Sequence, residues 1–159
     1  MRNEMEISFD AVSDNESFAR VAVAAFAAHL NPTVEEMADI KTAVSEAVTN
    51  SIIHGYENLH GYGKIAKKTL PGAVEQEHSE KVHIHCILDE NALHIVISDS
   101  GRGIADVEQA MEPLFTTKPD LDRSGMGFAF MEAFMDTLEV ESTLGEGTTV
   151  RMMKKIGAG

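Results

Sequence analysis

Two alternating segments in the middle of the chain constrain its fold more than any other feature. Apolar residues take every second place over residues 82–88 and again over 93–97, and Asp89-Glu-Asn91 separates the two runs. Because successive side chains on a strand point to opposite faces, this pattern predicts an antiparallel pair with one covered face. Cys86 falls on the covered side and is predicted to pack as a small apolar residue. Such a sheet needs helices on its covered face.

Segments with helical periodicity precede this hairpin. Ser13-x-x-Glu16 and Thr33-x-x-Glu36 predict capping boxes, in which the two side chains satisfy free amides at a helix start. An apolar stripe at helical spacing follows each box, and Gly55 is predicted to end the second helix. The predicted stripes are Phe18, Val21, Ala22, Ala25 and His29 on the first helix, and Met37, Ile40, Val44, Ala47, Val48, Ser51 and Ile52 on the second.

The remaining segments complete a single domain over residues 1–159. The further predicted elements are a strand over 5–11, a short helix near 106–111, a helix over 127–137, and strands over 138–141 and 148–153 around a Gly145-Glu-Gly147 turn. The predicted fold class is therefore α+β, a two-layer sandwich of a mixed, mostly antiparallel sheet with helices on one face.

Residues 57–80 differ from the rest of the chain. Gly61, Gly63, Pro71 and Gly72 punctuate a mostly polar stretch without a sustained period, which predicts a flexible loop. Connections of about 4–6 residues are typical, so a loop of this length is predicted to be an insertion.

The charge balance and the cysteine content exclude several classes of protein. A formal net charge of −13 argues against direct binding of nucleic acid, which needs a positive surface, and would suit a basic protein partner. The single cysteine excludes an internal disulfide framework and fits a reducing compartment. No apolar run approaches the roughly 18 residues of a membrane span. We therefore expect a cytoplasmic protein that does not contact a membrane.

The clearest candidates for chemistry lie on the second predicted helix. Glu46 and Asn50 are four residues apart, so they lie one turn above each other and off the apolar stripe. A carboxamide oxygen suits Mg²⁺, whose coordination is usually completed by water and substrate phosphates. A carboxylate one turn away could accept a proton from an attacking hydroxyl or water. The alternative interpretation is an ordinary solvated helix face.

Asp99 is notable for its position in the alternation. It shares a face with the apolar residues of its strand, so it is predicted to point inward at the strand's end, where a buried carboxylate needs a partner. Gly101 and Gly103 follow it and would let the backbone pass close to a ligand. The alternative is a strand-ending Asx turn followed by flexible glycines.

A second glycine-rich segment precedes the helix predicted over 127–137. In Ser124-Gly125-Met126-Gly127 the glycines permit close approach, and the free amides of the helix start favour anions. The alternative is an ordinary glycine-rich helix start. Upstream of it, Thr117 and Lys118 offer a hydroxyl and a cation in an irregular segment, and Lys118 is the candidate contact to a terminal phosphate.

Four motifs in this order resemble the GHKL ATP-binding fold of histidine kinases, gyrase B, Hsp90 and MutL. They are Glu46-Ala-Val-Thr-Asn50, Asp99-Ser-Gly101-Arg-Gly103, Ser124-Gly125-Met126-Gly127 and Gly145-Glu-Gly147-Thr148. Three longer segments, Ser45–Tyr56, Pro113–Pro119 and Arg123–Phe128, look like those of the anti-sigma F factors of spore-forming bacteria. The resemblance covers most of the chain, and the 57–80 segment is its main departure.

The resemblance implies ATP and Mg²⁺ as cofactors and a role for each motif. Asn50 would bind the metal, Glu46 would be the catalytic base, and Asp99 would accept a hydrogen bond from the adenine amino group. The other nucleotide contacts that it implies are Gly101, Gly103, Thr117, Lys118, Ser124, Gly125, Met126, Gly127 and Thr148, with Thr149 as a competitor of Thr148.

The resemblance also implies an activity. Such a protein would be a serine kinase that phosphorylates an anti-anti-sigma partner, and it would bind and block a sporulation sigma factor. Arg20 resembles a partner-contacting arginine, and a homodimer is implied. Two alternatives stay open: a general-stress anti-sigma kinase of the same family, and a nucleotide-gated binding module without kinase activity.

Overall fold

The computed structural model describes residues 2–56, 80–112 and 127–157. Nearly all of the loop predicted over 57–80 lies outside these ranges, and so do several candidate site residues. Those candidates are Thr117, Lys118, Ser124, Gly125 and Met126.

Within these ranges, five strands form one sheet in the order β1-β2-β3-β5-β4. In chain order they are β1 (Arg2–Asp10), β2 (Lys81–Asp89), β3 (Ala92–Asp99), β4 (Thr137–Thr143) and β5 (Gly147–Lys155). Every pairing between these strands is antiparallel. The predicted α+β sandwich is confirmed, and β3 occupies the centre of its sheet.

The β2–β3 hairpin has the covered face that the alternation predicted. Cys86 pairs with Ile95 and Ile84 with Ile97, and none of these residues is more than 1% exposed. Burial raises the pKa of the Cys86 thiol to about 12, so the side chain stays protonated and packs as a small apolar group. The turn itself is tight, since Asp89 already pairs with Ala92.

In the part of the chain that the structure describes, four α-helices accompany the sheet. They are α1 (Asn15–Ala27, followed by a 3₁₀ turn, Ala28–Leu30), α2 (Val34–Asn50), α3 (Val107–Ala110) and α4 (Gly127–Phe134). Buried residues of α1, α2 and α4 join those of the strands in one apolar core, and α2 packs against both α1 and α4. Within the described ranges, no helix is long and apolar enough to cross a membrane.

The second helix has the start that its capping box predicted. The Thr33 hydroxyl accepts a hydrogen bond from the amide of Glu36 at 3.1 Å, and the Thr33 amide donates to the Glu36 carboxylate at 2.8 Å. The other carboxylate oxygen of Glu36 accepts the amide of Gly157 at 2.9 Å. Glu36 therefore links the start of α2 to Gly157, two residues after the end of β5.

A π-helical segment, Ser51–Tyr56, follows α2 directly, so the helical conformation continues past Asn50 instead of ending in a turn. Its end lies within one residue of the predicted end at Gly55. Ile52 is 3% exposed and belongs to the core, as its place on the predicted stripe required. Widened helical turns of this kind are frequent at functional sites.

The capping box predicted at Ser13 does not form. α1 begins at Asn15, and the side chain of the preceding Asp14 makes no cap hydrogen bond. The carboxylate of Glu16 accepts a hydrogen bond from the Ser45 hydroxyl on α2 instead. The prediction was wrong because this carboxylate has a partner on the neighbouring helix.

The predicted apolar face of α1 was also wrong. Phe18 and Val21 are 52% and 61% exposed, whereas Ala19 and Val23 are fully buried. Nearly every residue from 18 to 27 is apolar, so periodicity alone does not select a face. The buried face is the one rich in small residues, which allows α1 to approach α2 closely.

We predict that Thr33→Ala lowers the stability of the fold by about 1 kcal/mol, because it removes an N-cap acceptor from α2. For a chain of this length, that loss corresponds to a melting temperature lower by about 2–4 °C. Ser13→Ala is the matched control and should leave the melting temperature nearly unchanged, since no side-chain cap forms there. Equal losses in the two variants, measured by circular dichroism, would contradict the assignment of the helix starts.

Candidate functional site

Glu46 and Asn50 face the first residue of α4. A Cβ atom at position 127 would lie 3.1 Å from Nδ2 of Asn50, 3.3 Å from its Oδ1 and 3.2 Å from Oε2 of Glu46. Gly127 is buried, and a Cβ there would crowd both polar side chains, so Glu46, Asn50 and the start of α4 share one small space. The structure thus brings together three residues predicted from two separate motifs.

The donor set at this point fits a magnesium ion held together with a phosphate. Asn50 and Glu46 offer a carboxamide and a carboxylate oxygen, and the amides of the α4 start favour an anion. Within the described ranges no cluster of three or more His, Cys, Asp or Glu side chains could enclose a metal. Mg²⁺ in nucleotide sites usually takes one or two protein ligands and completes its shell with water and phosphate oxygens.

Asp99 lies at the inner end of β3, as its position in the alternation predicted. It is 8% exposed, and its Oδ1 accepts the amide of Gly101 at 2.9 Å. The hydroxyl of Ser51 and the amide of Thr148 also hydrogen-bond to its carboxylate. Burial raises the pKa of Asp99, while the three hydrogen bonds act to lower it. The buried carboxylate is therefore well supplied with donors.

The register of β3 and β5 selects between the two adjacent threonines. Thr148 pairs with Asp99 and so faces the same side of the sheet, whereas Thr149 pairs with Ser98 on the other face. Thr148 is the threonine beside the buried carboxylate.

A serine on β4 fixes the hydroxyl of Thr148. Ser142 Oγ lies 2.8 Å from Thr148 Oγ1, accepts the amide of Ile104 at 2.7 Å and donates to the carbonyl of Gly147 at 3.0 Å. The network connects the loop after β3 to the β4–β5 hairpin. It leaves Thr148 in a defined orientation next to Asp99.

Two glycines allow this hairpin to touch the loop after β3. Gly103 has φ +75°, and a Cβ there would lie 2.2 Å from the carbonyl oxygen of Thr143. Gly147 has φ +119°, and a Cβ there would lie 2.1 Å from the carbonyl oxygen of Asp99. Both glycines are therefore required by close backbone contacts within the chain. The predicted approach of Gly101 and Gly103 to a ligand stays a prediction.

The sequence did not identify Ser51 or Ser142 as site residues. Ser51 is 5% exposed and carried a visible signal, because it is a polar residue on the apolar stripe of α2. Ser142 carried none, since its role depends on a backbone amide from a distant loop.

Arg20 lies on α1, with a side chain 42% exposed. Its Nη1 is 3.8 Å from Oε1 of Glu16, one turn earlier on the helix. Glu16 in turn accepts the hydroxyl of Ser45, the residue before Glu46. The predicted partner-contacting arginine therefore lies at the surface, connected by two polar contacts to the helix that carries the site.

Comparisons with known proteins agree on one family. The family of the histidine kinase-like ATPase domain matches residues 10–154. An anti-sigma F factor of Anoxybacillus flavithermus is 51% identical over 156 residues, covering 98% of this chain and 94% of its own length. One from Thermoanaerobacter sp. is 53% identical with coverage of 98% and 96%. One from Caldanaerobacter subterraneus is 54% identical with coverage of 98% and 95%.

A solved structure shares the fold. The RsbU and RsbW domains of a Mycobacterium tuberculosis protein superpose with a TM-score of 0.62 at 18% identity. The match covers 97% of this chain and 32% of that one. At this identity the likeness concerns the fold alone.

We predict that Gly147→Ala is far more damaging than Gly145→Ala. Both glycines have positive φ, so each substitution introduces backbone strain of about 1–3 kcal/mol. A Cβ at 145 meets nothing within 4 Å, whereas one at 147 overlaps the backbone of Asp99. Urea denaturation should show a clearly larger loss for Gly147→Ala; equal losses would mean that the hairpin does not press on the end of β3.

Proposed function

This chain belongs to the anti-sigma F factor family of histidine kinase-like ATPases, and from this premise we propose that it is an ATP-dependent protein serine kinase. Membership of the ATPase family carries ATP binding with it. The observation that supports a kinase best is the meeting of Glu46 and Asn50 at the start of α4, close around Gly127. A helix start favours a phosphate at that point.

The nucleotide would occupy the space between Asp99 and the start of α4. Asp99 would accept a hydrogen bond from the adenine amino group, with Thr148 beside it and the backbone of Gly101 and Gly103 along the base. The phosphates would meet the amides of Ser124–Gly127, with Thr117 and Lys118 at the terminal phosphate. These last contacts rest on the sequence motifs alone.

Asn50 would hold Mg²⁺ through its carboxamide oxygen. The bound ion would neutralise phosphate charge during transfer. Glu46, one turn earlier, would accept the proton of the partner's serine hydroxyl as the phosphoryl group is transferred. Its place beside Asn50 and Gly127 supports this role, because a base must lie within reach of the group that it deprotonates.

The substrate would be an anti-anti-sigma protein, and a sporulation sigma factor would be the protein bound and blocked. Both proposals rest on family membership, as does a homodimer. Three large apolar side chains on or just before α1, those of Val12, Phe18 and Val21, are each more than half exposed, which suits a protein partner in general terms. Arg20 lies on the same helix and is the proposed contact to the sigma factor.

Two alternatives differ from this proposal in what they require. A general-stress anti-sigma kinase would use the same chemistry on different partners. A nucleotide-gated binding module would bind ATP without transferring its phosphate and would have no use for Glu46. The presence of Glu46 against Asn50 favours the kinase.

We predict that Glu46→Gln reduces phosphotransfer to the serine partner by about 10²–10⁴ while leaving ATP affinity within about threefold, because the carboxylate acts on the hydroxyl and not on the nucleotide. Glu35→Gln removes the same charge from an exposed position of α2 and should leave both quantities unchanged. Radiolabelled ATP and the cognate partner give the rate, and calorimetry gives the affinity. Near-normal turnover in Glu46→Gln would support the binding module.

We predict that Arg20→Ala weakens sigma factor binding by about tenfold or more, since exposed arginines are frequent among the residues that dominate an interface. Lys41→Ala removes an exposed cation from α2 and serves as control. Kinase activity should persist in both variants. Unchanged affinity in Arg20→Ala, measured by surface plasmon resonance, would assign the sigma factor to another surface.

A further inference from the structure

Lys154 is a lysine on the covered face of the sheet. On β5 it pairs with Leu93, which is fully buried, and it follows Val150 and Met152 in the alternation that faces the core. Its side chain is only 12% exposed. An ammonium group withdrawn from water to this degree is costly unless it has charged or hydrogen-bonding partners. The catalytic and nucleotide contacts proposed above do not include this cation.

The ammonium group of Lys154 has partners on two helices. Its Nζ donates a hydrogen bond of 2.7 Å to the carbonyl oxygen of Phe134, the last residue of α4. It also lies 3.4 Å from Oδ2 of Asp39 on α2. The last carbonyls of a helix have no partner within the helix and carry partial negative charge, so a cation suits them. Lys154 therefore joins the C-terminal end of α4 to α2 through one charged group.

Neighbouring residues of β5 hold the same end of α4. The amide of Asp136 donates to the carbonyl of Met153 at 2.9 Å, and the amide of Lys155 donates to Oδ2 of Asp136 at 2.7 Å. Three successive residues of β5 therefore contact the last residue of α4 or the turn after it. Of these three contacts, that of Lys154 is the one that extends to α2.

The two helices that Lys154 joins meet again at the candidate site. α4 begins at Gly127, and with a rise of about 1.5 Å per residue its two ends lie about 10 Å apart. On α2, Asp39 and Asn50 are separated by about 16 Å by the same measure. The contact of Lys154 is therefore at one end of the α2–α4 interface, and that of Gly127 with Asn50 is at the other.

We propose that Lys154 is a positioning residue for the phosphate end of the site: by tying the C-terminal end of α4 to Asp39, it sets the distance between the start of α4 and Asn50. The inference rests on the proposed function and adds to it a residue remote from the nucleotide. The start of α4 would receive a phosphate, and Asn50 would hold the Mg²⁺ that this phosphate shares, so their separation determines whether one ligand meets both. A misplacement of about 1 Å can cost about 10²-fold in rate.

Removing the ammonium group while keeping the apolar stem should change the site without unfolding the chain. Lys154→Met does this, and since Asp39 is 24% exposed, water can solvate its carboxylate once the cation is gone. We expect the kcat of phosphotransfer to fall about tenfold or more in this variant. We also expect the gain in ATP affinity on addition of Mg²⁺ to shrink by about threefold or more, because that gain requires Asn50 and the start of α4 to engage one ligand.

The magnesium-dependent gain separates positioning from a loss of stability. It is the ratio of the ATP affinities measured with Mg²⁺ and with EDTA, so contacts to the base cancel in it. A variant that is only less stable keeps both this ratio and its kcat well below its melting temperature, since nearly every molecule is then folded.

The experiment is calorimetric titration of the full chain with ATP, with Mg²⁺ and with EDTA, together with phosphotransfer to the serine partner. Lys155→Met is the matched control, because it makes the same change at the next residue, which is exposed and contacts Asp136 through its backbone amide. Lys154→Arg retains a cation with several donors and should bring both quantities back to within about threefold of the wild type.

A second variant tests the link from its other side. Asp39→Asn removes the charged partner on α2 and leaves the contact with Phe134 in place, so kcat and the magnesium-dependent gain should fall by smaller factors. In the double variant with Lys154→Met the losses should not add, because both changes break one link. Asp39→Asn carries the test if Lys154→Met does not fold.

The outcomes separate this inference from the proposed function. A wild type whose ATP affinity gains nothing from Mg²⁺ would overturn both. A wild type that shows the gain but transfers no phosphate would overturn the kinase alone, and the gain would still test Lys154. A lower melting temperature in Lys154→Met, with kcat and the gain unchanged, would overturn the positioning role alone. Loss of both quantities in Lys154→Met, with recovery in Lys154→Arg and no loss in Lys155→Met, is the expected result.

Discussion

A single buried carboxylate sets the conditions that the site must meet. Asp99 is 8% exposed at the end of the central strand, and a carboxylate removed from water must be hydrogen-bonded to be tolerated. Its donors come from three separate parts of the chain: the loop after β3, strand β5 and the π-helical segment after α2. The sheet register brings Thr148 opposite it, and Gly147 permits the close approach of the two backbones. The fold of this region must therefore bring all three donors to Asp99 at the same time.

The helix α2 joins the two halves of the chemistry. Its inner face belongs to the core, so its rotation is fixed by packing against α1 and α4. With that rotation fixed, Glu46 and Asn50 must face the start of α4, and Ser51 must face the end of β3. Metal binding and proton transfer are therefore proposed for two residues, Asn50 and Glu46, whose relative positions are those of one helix.

Much of this arrangement could be predicted from the sequence, because it follows from local periodicity. Alternation identified β2, β3 and the inward direction of Asp99, and the capping chemistry identified the start of α2. The buried face of α1 could not be predicted, since apolar residues occur on all sides of that helix and only tertiary packing selects the face that is buried. Ser51 and Ser142 were not identified as site residues, because their partners are distant in sequence. The resemblance of the motifs supplied the functional roles, which periodicity does not contain.

Glu36 joins the start of α2 to the segment after β5 through one side chain. It caps α2 with one carboxylate oxygen and accepts the amide of Gly157 with the other, while Ile156 before it is 3% exposed. Local opening of the tail is thereby linked to fraying of the helix that carries the site. In hydrogen exchange, the first turn of α2 and the last strand should belong to one cooperative unit. A nucleotide that binds at the far end of α2 would then slow exchange at the chain's end as well, so this contact makes the terminus a reporter of the site.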